Sequence, residues 1–347
     1  MTYRNHDQIL ERMKPYGCVL KNGLSNHTPM VVEALAAMDA DEGAANWFSK
    51  NESTILPKPA PRKPIEGDNW QAQLSDQNRF SDWAEFFERE ISQIGWQKCI
   101  KRWVPRLTEG YISAACHGVI RVGHAVRALK LAETDARKRE LAYAFASWTV
   151  SYMTLPSTSP KSGEFNGLEI LNNLPLLSDE LRNNEGSITR AIGQLQHAPQ
   201  ILAACEQLEL NSADLDLCKI ARVAANVFLD DAHSTLGAIV FTHGITGTAA
   251  CLHLGEFLSE PETRTLAFQA FQAVAALHAV YAETTLTTAT LEAVHLPTTK
   301  ELKDNAIRHG DDHVIKLTEA CLLFYRLTDD DLFRATAARG QALIPPS

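Results

Sequence analysis

The fold class is decided by one long stretch rich in alanine and leucine, residues 260–289, which reads EPETRTLAFQAFQAVAALHAVYAETTLTTA. Alanine and leucine favour helix, and turn-bounded runs of alternating β-branched residues are hard to find in the rest of the chain. We therefore predict an all-α protein, a single large multi-helix domain built from helical hairpins. The predicted helices cover residues 29–39, 81–95, 96–106, 109–131, 134–152, 165–173, 187–206, 212–229, 232–257, 260–289, 298–308, 312–326 and 329–342.

An N-terminal arm precedes the helical body. Residues 56–64, LPKPAPRKP, contain four prolines, which remove backbone amide donors and fix extended dihedral angles. We expect this segment, the proline strap, to cross the surface as a stiff connection. The predicted domain, residues 1–347, is thus divided into the arm with its strap, residues 1–64, and the helical body, residues 65–347.

Composition excludes several classes of partner. The chain has 347 residues and is 45% hydrophobic, so a sizeable core can form. Its net charge is -9 and it has no dense cluster of basic residues, so neither nucleic acid nor a membrane is an expected partner. The polar N-terminus does not resemble a signal peptide, and no apolar, uncharged run of about 20 residues stands out, which predicts a cytoplasmic protein.

The seven cysteines are an odd number and are scattered singly, mostly within apolar helical patterns. Neither a disulfide framework nor a CxxC zinc site follows from such spacing. Buried thiols in a reducing compartment are the simpler interpretation. The sequence also lacks a GxGxxG motif after a strand, a GxxxxGK[ST] motif and a GxSxG motif. The chemistry must therefore come from scattered side chains, of which the 12 histidines are the most prominent.

One histidine context lies in the helix predicted over 109–131. The spacing of His117, Arg121 and His124 places two imidazoles and a guanidinium on one helical face. Gly118 and Gly123 lower the helix propensity there, which predicts close approach of another backbone or a ligand.

Two further contexts lie near the C-terminus. His243 sits in the apolar run AIVFTHGITGTAA, where a buried imidazole needs partners for both nitrogens. Thr242 or Thr246 is a candidate for one partner, and a metal or a substrate for the other. In RHGDDHVIKL, residues 308–317, Asp311 or Asp312 caps the next helix.

That cap places His313 and Lys316 on neighbouring positions of one face. An ammonium group has no lone pair and would be repelled by a nearby cation, so Lys316 must be distant, deprotonated by burial, or modified. Carbamylation by carbon dioxide would convert it into an anionic oxygen ligand, and nitrogen and oxygen ligands together suit a catalytic iron.

The remaining histidines have ordinary explanations. His27 occupies the polar turn NGLSNHTP ahead of the 29–39 helix, where an exposed residue is common. His124, His278 and His309 are reserve candidates. The run Asp230-Asp231-Ala232-His233 has a metal-like composition, but a helix N-cap explains it.

The sequence resembles the questin oxidase-like family, which includes fungal enzymes that oxidise anthraquinones as well as bacterial proteins. The resemblance spans most of the chain and rests on Asn26-His27-Thr28-Pro29, the proline strap, Trp103-Val104-Pro105-Arg106-Leu107, His117-Gly118-Val119-Ile120-Arg121, Thr242-His243 and Asp312-His313-Val314-Ile315-Lys316-Leu317. It implies a helical fold and oxidative cleavage of an aromatic polyketide ring.

The resemblance also implies a ligand set for non-haem Fe(II): His27, His117, His243, His313 and a carbamylated Lys316. The expected substrates are a small aromatic molecule and O2, with Arg121 and His124 as catalytic candidates, Arg121 stabilising a phenolate or another oxygen anion. Fungal members carry a histidine near Arg121 and a bulkier residue near His124, so this chain resembles the bacterial branch. The alternatives are metal-free, NADPH-dependent Baeyer–Villiger-type oxidation and a non-catalytic helical ligand-binding protein.

Overall fold

The computed structural model describes residues 3–156, 163–211, 213–283, 286 and 296–347. The chain forms two compact units, which divide after Met153. Both are helical, as predicted, and the described strands form one two-stranded sheet. The single domain with a division at residue 64 stays a prediction.

The described part of the first unit contains seven α-helices. They are α1 (Arg4–Arg12), α2 (Thr28–Ala37), α3 (Asp41–Asn51), α4 (Phe80–Ile94), α5 (Trp96–Leu107), α6 (His117–Leu131) and α7 (Asp135–Val150), with short 3-10 helices at Glu52–Thr54, Gly67–Asn69, Gln71–Gln73, Gln77–Arg79 and Thr108–Gly110. Strands β1 (Tyr16–Leu20) and β2 (Ile55–Pro57) are antiparallel, with Tyr16 opposite Pro57 and Leu20 opposite Ile55.

An aromatic cluster forms the centre of the first unit. Trp103 on α5 packs edge-on against Trp83 and Phe87 of α4, and Phe87 stacks on Phe145 of α7 with ring centroids 5.0 Å apart. All four side chains are buried. These large side chains keep α4, α5 and α7 together because each aromatic ring buries a large apolar area.

The proline strap begins as β2 and then runs irregularly, as its prolines predict. Its backbone is fixed by side chains of α4: the Asp82 carboxylate accepts from the amide of Arg62 at 2.7 Å, and Ser81 donates to the carbonyl of Pro59. The two strands were not predicted from the sequence, because β1 is only five residues long and lacks alternation.

The second unit contains eight α-helices among its described residues. They are α8 (Gly167–Asn172), α9 (Ile188–Gly193), α10 (Ala213–Asp231), α11 (Thr235–Gly255), α12 (Glu260–Tyr281), α13 (Thr299–His309), α14 (Asp312–Thr328) and α15 (Asp331–Leu343), with 3-10 helices at Gln194–His197 and Pro199–Gln207.

Helix α11 lies at the centre of the second unit, packed against α10, α12 and α14. Gly244 permits this packing: a Cβ atom there would lie 3.2 Å from Val274 of α12 and 3.4 Å from Ala224 of α10. The absence of a side chain thus brings three helices together beside His243.

The apolar character of α11 extends over its whole length, beyond the apolar run around His243. Residues 235–255 contain no formally charged side chain, and by length and composition α11 is able to cross a membrane. However, 72% of its most apolar window is buried within the structure, as in the core helix of a globular protein.

Two predicted helices were wrong in part. The 109–131 helix is interrupted because Ala114, Ala115 and Cys116 all have positive φ angles, and α6 starts only at His117. The 187–206 helix breaks at Ala198, since the following Pro199 disfavours helical geometry in its predecessor. Helices α1 and α3 were not predicted. The end of the 260–289 prediction lies largely outside the described residues.

Candidate metal centre

Two of the predicted ligands meet in the first unit. His27 is the N-cap residue of α2 and His117 is the first residue of α6. Their rings are stacked, with centroids 4.5 Å apart and an interplanar angle of 11°. Both are buried, so the interpretation of His27 as an exposed residue was wrong. The polar turn is fixed by Asn26, whose side chain accepts from the Thr28 amide and donates to the carbonyl of Gly17.

The strained turn before α6 sets the tautomer of His117. Ala114, Ala115 and Cys116 adopt φ angles of 49°, 55° and 67°, a region that costs a non-glycine residue roughly 1–2 kcal/mol. This turn directs the carbonyl of Ala114 at Nδ1 of His117, 2.5 Å away. Because a carbonyl can only accept, Nδ1 carries the proton and Nε2 carries the lone pair that a metal would require.

Helix α6 confirms the expected close approach at one of its glycines. A Cβ atom on Gly118 would lie 2.6 Å from the indole of Trp148. The approaching group is therefore an aromatic side chain of α7, not a ligand.

In the second unit, His243 has the same tautomer. Its Nδ1 donates to the carbonyl of Val240 at 3.1 Å, again leaving the lone pair on Nε2. The threonines expected to supply this partner do not, because Thr242 and Thr246 donate to carbonyls of their own helix. The ring of His243 contacts the edge of His313, with centroids 5.6 Å apart.

His313 is oriented by two aspartates at the start of α14. Asp311 is the N-cap, as predicted, and accepts from the amides of His313 and Val314. The neighbouring Asp312 places a carboxylate oxygen 2.5 Å from Nδ1 of His313. A carboxylate behind a histidine fixes the ring and raises its basicity as a ligand through the other nitrogen.

Lys316 lies one turn beyond His313 and only 2% of it is exposed. Within the described part of the chain its ammonium group forms no hydrogen bond and no ion pair. Burial lowers the pKa of Lys316, and the nearby charges of Asp312 and Asp311 only partly oppose this. A lysine that is buried without an ion-pair partner among the described residues suits a neutral or modified side chain, and carbamylation of Lys316 stays a prediction.

The two catalytic candidates lie further along α6, each beside a carboxylate. Arg121 forms a bidentate ion pair with Glu140 of α7, at 2.6 and 2.9 Å. Burial would lower the pKa of Arg121, but the Glu140 carboxylate raises it, so the guanidinium stays charged. His124 places Nδ1 2.6 Å from an oxygen of Glu33 on α2.

Of the reserve histidines, His278 is the most buried. Its Nδ1 lies 2.8 Å from the carboxylate of Asp231. The N-cap interpretation of Asp231 was therefore wrong: Ser234 caps α11, and Asp231 ends α10. The Nε2 atom of His309 lies 2.9 Å from the carbonyl oxygen of Ile344.

Sequence reasoning missed the carboxylates that orient these histidines and Arg121. One signal was available, because Glu33 is the only charged residue in the apolar helix TPMVVEALAA, which predicts a buried partner. No comparable signal marked Glu140 as a partner of Arg121 or Asp312 as a partner of His313. Both acidic residues lie in polar stretches of sequence, where a carboxylate is expected to be exposed.

One known family matches a range of the chain that includes both histidine pairs, His27 with His117 and His243 with His313. Residues 24–321 match the family described as questin oxidase-like. This chain belongs to the questin oxidase-like family. The matched range includes all five predicted metal ligands, and the oxidase-like description of the family indicates oxidoreductase chemistry as the class of activity. No curated protein matches the chain.

The donor atoms of this questin oxidase-like protein suit a transition metal. Within each unit, His117 and His243 direct the Nδ1 proton at a backbone carbonyl, so the neutral ring has its lone pair on Nε2. Imidazole nitrogen and anionic oxygen are ligands that iron accepts. The residues therefore fit the metal that the family resemblance implied.

Proposed function

We propose that this protein is an oxidoreductase that uses non-haem iron to cleave oxidatively an aromatic polyketide ring of the anthraquinone type. The residues that would bind the iron are His27, His117, His243, His313 and Lys316. When bound, the iron would supply activation of O2 for reaction with the substrate. Membership of an oxidase-like family supports the reaction class, and the chemistry of the donor atoms supports the metal.

The observation that carries the proposal is Lys316. Because burial lowers its pKa, the amine is more readily neutral, and a neutral amine can react with carbon dioxide. In that reaction the nitrogen lone pair forms a bond to carbon and one proton is released to solvent. The product is a carbamate anion, which would supply the oxygen ligand.

Acceptor groups beside three of the histidines fix the ring proton on Nδ1 and leave Nε2 available to a metal. The carbonyls of Ala114 and Val240 accept these protons from His117 and His243, and Asp312 provides the corresponding acceptor for His313. Rings fixed in this way lose little entropy when they bind a metal. Such outer partners typically change metal affinity or activity about 10–100-fold when they are removed.

Arg121 and His124 are proposed to assist the reaction through charge. The charged guanidinium of Arg121 would stabilise a phenolate of the aromatic substrate. Its bidentate contact with Glu140 keeps that charge in a fixed position. We propose the side chain of His124, held by Glu33, as a proton donor or acceptor.

Oxygen consumption with hydroxyanthraquinones tests the proposal. Iron-loaded protein should consume O2 without NADPH, and chelation followed by dialysis should abolish the consumption. Oxygen uptake that needs NADPH but survives removal of metal would favour the metal-free oxidation instead. Binding of the anthraquinone without oxygen uptake under either condition would favour a ligand carrier.

A further inference from the structure

A small cavity lies inside the first unit, where α1, α2, α6 and α7 meet. It has room for about one water molecule. The polar side chains that line it are His6, Glu33, Arg121, His124, Arg137 and Glu140. None of these residues is among the five proposed metal ligands, and two of them, Arg121 and His124, are the side chains proposed to assist the reaction.

The carboxylates around this cavity are already engaged by protein donors. Glu33 accepts from the hydroxyl of Tyr3 at 2.8 Å and from Nε of Arg127 at 2.8 Å, in addition to its contact with His124. The second lining carboxylate, Glu140, is occupied by two nitrogens of Arg121. Neither carboxylate therefore needs a further donor.

Arg137 is likewise satisfied. Its guanidinium donates to both oxygens of Asp7, at 2.7 and 3.0 Å, and to the carbonyl of Ala128. Nη1 of Arg121, in contrast, is buried and has no hydrogen-bond partner among the described residues. A buried guanidinium N–H requires an acceptor.

The two imidazoles that line the cavity, unlike Arg121, offer an acceptor that requires a donor. Nδ1 of His6 lies 2.9 Å from Asp7, and Nδ1 of His124 lies 2.6 Å from Glu33. Burial would raise the pKa of each carboxyl, but the partners of Asp7 and Glu33 lower both, so the carboxylates are ionised and can only accept. Each Nδ1 therefore carries a proton, and in the neutral ring Nε2 is an acceptor.

We propose that this cavity binds one ordered water molecule that joins His6, His124 and Arg121. Water accepts from Nη1 of Arg121 and donates one hydrogen to Nε2 of each imidazole, which matches one donor and two acceptors. A halide ion has no hydrogen to donate and would face two lone pairs, so it suits the cavity less well.

The bridging water gives the two histidines a route for proton exchange. A proton on Nε2 of His6 passes to the water oxygen while the water passes one of its own protons to Nε2 of His124. The water is regenerated, and one imidazole gains what the other loses. Both Nδ1 protons stay with their carboxylates, so neither ring has to turn.

A crystal structure of the wild-type protein tests the site directly, and it does not depend on iron. We expect one density peak within hydrogen-bond distance of Nη1 of Arg121 and of Nε2 of both His6 and His124. An empty cavity would overturn the proposal. Crystals soaked in bromide give the other contradicting result if an anomalous peak occupies the cavity, since the ligand would then be an anion.

Nuclear magnetic resonance of protein labelled with 15N-histidine tests the link between the rings. In the neutral state both rings should carry the proton on Nδ1, and His124→Gln should shift the Nε2 signal of His6. His233→Gln, at an exposed position, is the matched control and should leave that signal unchanged. Independence of the two rings would contradict the bridge. If His124→Gln fails to fold, His6→Gln with the signal of His124 gives the same test.

Discussion

The imidazole rings of His27 and His117 stack at 4.5 Å between their centroids, and this contact joins the start of α2 to the start of α6. Further along the same two helices, Glu33 meets His124 at 2.6 Å. Two successive contacts in the same order mean that α2 and α6 run side by side in the same direction. The contact between Glu33 and His124 thus supports the two helices that carry the stacked rings of His27 and His117.

Glu33→Gln should destabilise the protein and loosen that arrangement. Removing one partner of a buried ion pair costs about 3–5 kcal/mol, because Arg127 would lose its counter-charge. The contribution depends on pH. Arg127 and His124 hold the pKa of Glu33 well below 4.5, although burial opposes this.

Because the pKa of Glu33 is lower in the folded than in the unfolded protein, the direction of the pH effect on stability follows. The stabilisation by Glu33 is complete above pH 4.5 and is lost as the pH falls towards its pKa in the folded protein. Urea unfolding across this range should therefore show the difference between wild type and Glu33→Gln becoming smaller in acid. The exposed Glu85→Gln serves as control. A difference that stays constant with pH would contradict the ionised state of Glu33.

Lys316→Met should stabilise the metal-free, carbon dioxide-free protein at neutral pH, because a buried charge without an ion-pair partner among the described residues is removed. The pKa of Lys316 is lowered in the folded state, so the unfolded chain binds the proton more tightly. The penalty is complete below the folded pKa and disappears as the pH rises towards 10.5.

Denaturation of wild type and Lys316→Met should therefore converge in alkaline solution. The matched variant Lys98→Met, at an exposed position of α5, should show no such convergence. A Lys316→Met protein that is less stable than wild type at neutral pH would mean that the ammonium group has a partner.

Carbamylation of Lys316 is tested separately with 13C-labelled bicarbonate. Wild-type protein should give a carbamate carbon signal, and Lys316→Met should lack it. The exposed Lys98→Met should retain the signal, which assigns it to the buried lysine. Identical spectra from wild type and Lys316→Met would remove the oxygen ligand from the proposed metal site.

The turn before α6 offers a test of stored strain. Ala115→Gly should stabilise the protein by about 1 kcal/mol, since glycine adopts a φ of 55° without steric penalty. Ala338→Gly, within α15, should instead destabilise it by about 1 kcal/mol. Thermal unfolding of the two variants distinguishes these effects. Destabilisation by Ala115→Gly would show that this turn is not strained.

The sequence predicted the helical fold, and it also predicted which site residues share a face of α14, because helical spacing and capping follow physical rules. Helical spacing placed His313 and Lys316 on one face, and the Asp311 cap fixed where α14 starts. The three left-handed residues before His117 were not predictable, because alanine favours helix in isolation. The tertiary structure overrides that preference and directs the Ala114 carbonyl at His117.

The residues that pair with each other across neighbouring helices could not be predicted from the sequence. Periodicity shows which face of α6 is buried but not which residue meets it, so Glu140 was not recognised as the partner of Arg121. The assignment of all five ligands to one metal ion likewise stays a prediction from the family resemblance.

Metal content of the purified protein tests the iron proposal most directly. Wild-type protein loaded with Fe(II) anaerobically and desalted should retain iron, because imidazole nitrogen and anionic oxygen are ligands that iron accepts. His117→Ala and His243→Ala should each lower the iron content, while the exposed His233→Ala should leave it unchanged. Iron retained in full by both His117→Ala and His243→Ala, or absent from wild type, would contradict a metal centre built from these histidines.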